Sequence, residues 1–177
     1  YMQNPIEAVL NVRQDHDLQA GMVNRLTIQM RGRGHSGPLP ISGLDGKFSV
    51  EYCCAAALLD GKVSIETFTD QRRFSQDMEE TLSKIHVEPG EERSGVVTAA
   101  AQLHDGSTVS AECRGFRGST ANPMSREERM DKCWDCVRRV LSDQDADRLF
   151  TLLEDLENVA DVSAIMEILR QTPLERA

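Results

Sequence analysis

Cys133-Trp-Asp-Cys136 is the pattern in this chain that most invites a chemical reading. A zinc site would need two further ligands at matching spacing, and the sequence holds no second cysteine pair. Redox CxxC motifs sit at a helix start after a strand, whereas this one falls inside a helical pattern, on or beside its apolar stripe. Core packing is therefore the expectation. His16, His35, His86 and His104 are scattered, and none has a ligand partner at helical spacing. His35 lies in a Gly-rich loop where it could line a pocket, although a solvated loop residue is the simpler reading. Asp15 with Asp17, and Glu79 with Glu80, read as solvated helix faces. Gly32-Arg33-Gly34 hints at a phosphate loop, but no helix start follows it. Residue types and spacing alone thus assemble no catalytic constellation.

The elements that would position such groups are easier to read. Asn4-Pro5-Ile6-Glu7 has the form of a helix start, with Asn4 as N-cap and Glu7 closing a capping box. The helix should run to about Asp17. Leu26, Ile28 and Met30 alternate with polar neighbours, as in a half-buried strand. Gly32 to Gly46 reads as a long loop. Phe48 to Leu59 is apolar on almost every side, which predicts a buried helix stopped by Asp60-Gly61. Short helices are expected over Ser64 to Phe68 and Gln76 to Ile85. Val97, Ala99, Ala101 and Leu103, a turn at Asp105-Gly106, then Val109, Ala111 and Cys113 make a β-hairpin.

Beyond the hairpin the pattern turns wholly helical. Ser125 and Glu128 form a capping box ahead of a stripe of Met130, Cys133, Trp134, Val137 and Leu141. Ala146, Leu149, Phe150, Leu153 and Leu156 form a second stripe. Asp161 caps a third helix carrying Val162, Ile165, Met166 and Leu169, ended by Pro173. The fold class is α+β: a small domain with a β-sheet and packed helices over 1–120, then an all-helical tail over 121–177. Three amphipathic helices need to pack on one another or on further protein. In isolation this chain is expected to self-associate through Trp134, Leu149, Phe150 and their neighbours in the tail.

Composition bounds the function. The 177 residues are 40% hydrophobic and 28% charged, which is ordinary globular composition. A net charge of −9 argues against nucleic-acid binding, and an acidic ligand would need a local basic pocket. Five cysteines, an odd number, read as reduced thiols of a cytoplasmic protein. No run approaches a membrane span and no signal peptide opens the chain, so no membrane partner is expected. The first residue is Tyr1 rather than Met, which leaves the natural start open.

Three segments carry a family resemblance. Lys47-Phe-Ser-Val-Glu-Tyr52, leading into an Ala-rich helix closed by Leu59-Asp60-Gly61 and followed by Val63 and Phe68-Thr69-Asp70, is similar to a motif of the MmgE/PrpD family. Arg117-Gly-Ser119 followed by Asn122-Pro-Met-Ser125 resembles that family's Gly-containing turn and helix start. Asn4-Pro5-Ile6-Glu7-Ala8, with Leu18 to Ile28 behind it, resembles the segment after its Lys-x-Tyr/Phe-Pro motif. The family includes 2-methylcitrate dehydratase, cis-aconitate decarboxylase and iminodisuccinate epimerase.

The resemblance implies the C-terminal, lid-type part of a lyase or isomerase acting on a small di- or tricarboxylate, as in propionate metabolism. It implies no metal and no cofactor. The expected partners are a helical domain N-terminal to this segment, which holds much of the acid–base set, and further copies of the chain. Tyr52 matches the family's lid tyrosine, a hydrogen-bond or proton donor at the substrate. Lys47 matches a basic position able to attract a carboxylate. Asn4 stands where many members carry a substrate-side His, and an amide has no titrating proton near neutral pH. That departure supports an alternative: a non-catalytic binding or scaffold relative.

Overall fold

The structure is a computed structural model and describes residues 2–32, 37–90 and 95–170. It divides into two compact units, Tyr1–Pro123 and Met124–Ala177.

The first unit is built on a four-stranded sheet. Strands β1 (Val23–Met30), β2 (Ile85–Pro89), β3 (Val97–Leu103) and β4 (Thr108–Cys113) lie in the order β2-β1-β3-β4. The β1–β2 pairing is parallel; β1–β3 and β3–β4 are antiparallel. Alternation decides which face is covered: Leu26, Ile28, Val87, Ala99 and Ala101 are buried, and their polar neighbours are turned away. Helices α1 (Gln3–Asp15) and α2 (Val50–Asp60) pack on that face. The small residues Ala99 and Ala101 let the buried side of α1 (Ala8, Val9 and Val12) come close.

Helix α2 is buried from Val50 to Leu58 and has no solvent face, as its unbroken apolar run predicts. It is capped at both ends. Ser49 Oγ accepts from the Tyr52 N–H, and Gly61 closes the C-terminus in the left-handed conformation at φ 67°. Two shorter helices, α3 (Asp70–Arg73) and α4 (Gln76–Leu82), complete the unit.

Several expectations are corrected here. Helix α1 begins at Gln3 with Met2 as N-cap and no side-chain cap, so Asn4 lies within the first turn, and the expected capping box is absent. Pro5 tolerates that placement because first-turn N–H groups have no helical partner. Phe48 is 70% exposed, at the end of a 3-10 turn Leu44–Phe48 that precedes Ser49. The expected helix over Gln76 to Ile85 stops at Leu82. Ile85 and Val87 instead alternate in β2, which joins the sheet after a turn closed by Lys84 N–H on Thr81 O. The helix expected over Ser64 to Phe68 is a 3-10 turn, Glu66–Phe68.

The second unit contains α5 (Arg126–Val137), α6 (Asp143–Glu154) and α7 (Ser163–Leu169). Both halves of the Ser125–Glu128 capping box are made, and Asp161 Oδ1 accepts from the Ser163 N–H at 2.8 Å. Leu141, Leu149, Ile165 and Ile168 form its core. Trp134 meets Phe150 edge-on at 5.0 Å, and Arg138 lies 4.4 Å over the indole. Leu149 and Phe150 are therefore buried inside the unit, which overturns the expectation that they form its sticky surface. The exposed large apolar residues described there are instead Val140, Leu153, Leu156, Val162, Met166 and Leu169. Cys133 and Cys136 are exposed as well, because the inner side of α5 is lined at i, i+4 and i+7 by Met130, Trp134 and Val137. Pro173 lies outside the described residues. Among those described, no helix is long and apolar enough to cross a membrane.

Candidate functional site

Tyr52 sits in the first turn of α2 and is fully buried. Its ring lies so close to Gly46 that a Cβ there would come within 2.4 Å of the ring, and it tilts against Phe68 at 6.4 Å. Its hydroxyl donates to the Thr67 backbone carbonyl. Burial raises the phenol above its ordinary pKa, opposed by the positive charges of Arg72 and Arg73, so the group keeps its proton.

Above that ring runs the segment 37–48, fastened by side chains from two helices. The buried Glu51 carboxylate accepts from Gly37 N–H at 2.8 Å with one oxygen and from Ser49 Oγ at 3.0 Å with the other. Asp70 accepts from Gly43 N–H at 2.7 Å. Arg73 donates to Pro40 O at 2.9 Å while ion-paired with Glu79. Gly43 touches the Thr69 backbone so closely that a Cβ would lie 2.2 Å from its carbonyl carbon. Lys47 stands on this fastened turn, exposed, with Nζ 5.1 Å over the Phe48 ring. Tyr52 thus underlies the turn that presents Lys47.

Asn4 occupies a different place. It lines a pocket of about 350 Å³ with Met30, Arg31 and Gly32 at the end of β1, and Val96 and Val97 at the start of β3. Its Oδ1 faces the Cys113 thiol, with Sγ at 3.7 Å. Neither Tyr52 nor Lys47 belongs to this lining. Of the three residues singled out from the sequence, Tyr52 packs beneath the turn that carries Lys47, and Asn4 lines a different pocket with Arg31.

Of the histidines, His16 and His104 are exposed, and His86 is half-buried on β2, where burial and the nearby Arg25 lower its pKa. His35, with Arg33 and Gly34, lies outside the described residues. Among the described residues no three His, Cys, Asp or Glu side chains gather as a metal site would require. Asp15 and Asp17 are exposed, whereas Glu79 is engaged with Arg73. Sequence reasoning passed over Glu51 and Arg31. A carboxylate inside the apolar run 48–59 was a usable signal, since a buried charge needs partners. Arg31 gave none, because only its surroundings set it apart.

Comparison with known proteins adds a second line of observation. The model of the MmgE/PrpD C-terminal domain matches residues 1–158. Among curated relatives, cis-aconitate decarboxylase of Mus musculus is 27% identical over 138 residues, covering 75% of this chain and 28% of its own length. The Homo sapiens protein of the same name is 26% identical over 138 residues, covering 75% of this chain and 29% of its own. The chain therefore spans less than a third of the length of either relative.

Proposed function

The chain belongs to the MmgE/PrpD family, and on that footing we propose that it is the C-terminal, lid-type part of a lyase or isomerase acting on a small di- or tricarboxylate without a metal. The observation that carries the reading is the family match over residues 1–158, which runs through both units. The relatives support it, since both are named for decarboxylating cis-aconitate, a tricarboxylate. Decarboxylation, dehydration and epimerisation beside a carboxylate share one demand. Negative charge that develops on carbon must be stabilised while a proton is moved.

In this reading Lys47, exposed on a fastened turn, attracts a substrate carboxylate. Tyr52 supplies a hydrogen bond or proton from a phenol that burial keeps protonated, and to do so its hydroxyl exchanges the Thr67 carbonyl for the substrate. Asn4 holds substrate as a neutral donor and acceptor. The titrating base comes from a helical domain N-terminal to this segment, so the segment alone is inactive. That domain and a second copy are the proposed partners, the cytoplasm the proposed compartment, and 2-methylcitrate the first substrate to test.

The test is to incubate the full-length protein separately with 2-methylcitrate, cis-aconitate and a chiral dicarboxylate and to follow each by proton NMR. Turnover of one is expected, with none by residues 1–177 alone. Failure to turn over or bind any of them overturns the reading. Asn4 favours the second reading, a binding relative, which binding without turnover would select.

A further inference from the structure

In an acidic chain, arginines find acceptors. Within the first unit Arg25 pairs with Glu88, Arg72 with Asp60 and Asp77, Arg73 with Glu79, and Arg114 with Glu112. Arg13 donates to the Leu58 carbonyl and Arg117 to Asn122 Oδ1. Arg31 departs from this pattern. It is exposed at the end of β1, and among the described residues its guanidinium has no acceptor. It is also the arginine that lines the pocket shared with Asn4.

Asn4 adds a second donor at the same place. Its Oδ1 is taken by the Cys113 thiol, which leaves the amide N–H groups without a described acceptor. The apolar side is supplied by Met30 and Val97, each nearly fully buried. A volume of about 350 Å³ lies at the lower end of the range for small-ligand sites, about 300–1,000 Å³. A planar guanidinium and an amide facing one concavity, with no carboxylate among its described lining residues, are the donors that a planar anion accepts.

We infer that Arg31 and Asn4 form a carboxylate-binding subsite, in which Arg31 takes one carboxylate of a small polycarboxylate in a forked pair and Asn4 donates to the same anion. The inference rests on the reading proposed above and adds to it a specificity-determining residue, Arg31. It also explains how a chain of net charge −9 accepts an anionic ligand: a local, unneutralised cation opposes the global field.

The structure provides two independent ways to damage the subsite. Arg31→Gln removes the charge. Gly95→Leu fills the pocket from its rim, where a Cβ meets nothing within 4 Å. The control is Arg25→Gln, which removes an arginine already paired with Glu88.

The experiment is calorimetric titration of the full-length protein and these variants with tricarballylate, a saturated tricarboxylate. Arg31→Gln and Gly95→Leu are each expected to weaken binding by about tenfold or more, Arg31→Lys to recover part of the loss, and Arg25→Gln to change affinity by less than about twofold. Tricarballylate binding that is unaffected by Arg31→Gln overturns the subsite while leaving the polycarboxylate reading in place. A full-length protein that binds no polycarboxylate overturns both.

Discussion

The two units bury their apolar residues by different means. In Tyr1–Pro123 the sheet gives α1 and α2 a continuous surface, and α2 disappears into the core from Val50 to Leu58. In Met124–Ala177 short helices close around a core of Leu141, Leu149, Ile165 and Ile168, and no residue of α5 is buried. Leu153, Leu156 and Leu169 are left about half exposed, at 47%, 49% and 54%. A sheet buries whatever lies on one face, whereas a small helical cluster can close only around a few contact points. The difference teaches where this chain has stability to spare.

The contrast is sharpest for single side chains. Leu26→Ala, at a fully buried position beneath α1 and α2, is expected to cost about 2–5 kcal/mol in urea unfolding. Leu153→Ala should stay within about 0.5 kcal/mol. Equal losses at the two positions would break the comparison.

A second difference is chemical. Burial pushes the Cys53 thiol up to about 12 and raises Cys54 and Cys113, so the folded first unit keeps protons that the unfolded chain releases near pH 9. These folded values lie above the unfolded ones, so stability is intact below pH 9 and falls as pH rises towards 12. The slope is about 1.4 kcal/mol per pH unit for each fully shifted thiol. Denaturation midpoints between pH 8 and 10.5 should show the fall, and Cys54→Ala should flatten it.

Close backbone approach is tested by Gly43→Ala, whose Cβ would lie 2.2 Å from Thr69 C. The cost should be about 1–3 kcal/mol, with segment 37–48 losing its protection in hydrogen exchange. A more modest effect is expected from a helix cap in the second unit. Ser125→Ala removes half of a capping box and should cost about 1 kcal/mol, visible as fraying of α5 by NMR and not in the first unit.

Much of this was legible where one local rule acts alone. The period-two pattern of Leu26, Ile28 and Met30, the Asp105-Gly106 turn and the Ser125–Glu128 box each produced the element that the pattern requires. Legibility failed where distant parts decide. Ile85 looks like the tail of a helix until β1 offers it a parallel edge. Cys133 and Cys136 fit an apolar stripe until Trp134 and Phe150 fix which side of α5 faces inward. The site divides in the same way. Lys47 and Tyr52 stand out in the sequence because a contiguous motif carries them. Arg31 does not stand out in the sequence, because only the joint arrangement of α1, β1 and β3 distinguishes it from an ordinary surface arginine.

The mixed pairing of the sheet also sets an order of events. The hairpin of β3 and β4 closes across the short turn at Asp105-Gly106, whereas Leu26 of β1 must wait for Ile85 and then for Ala101. Contacts this far apart in sequence are slow to form, because the intervening chain must first be gathered. On a ribosome the central strand is made early and hydrogen-bonded late. Until β2 and β3 have emerged, both edges of β1 stay open to strands of other nascent chains, so the time spent between Met30 and Leu103 is when this protein is most exposed to aggregation.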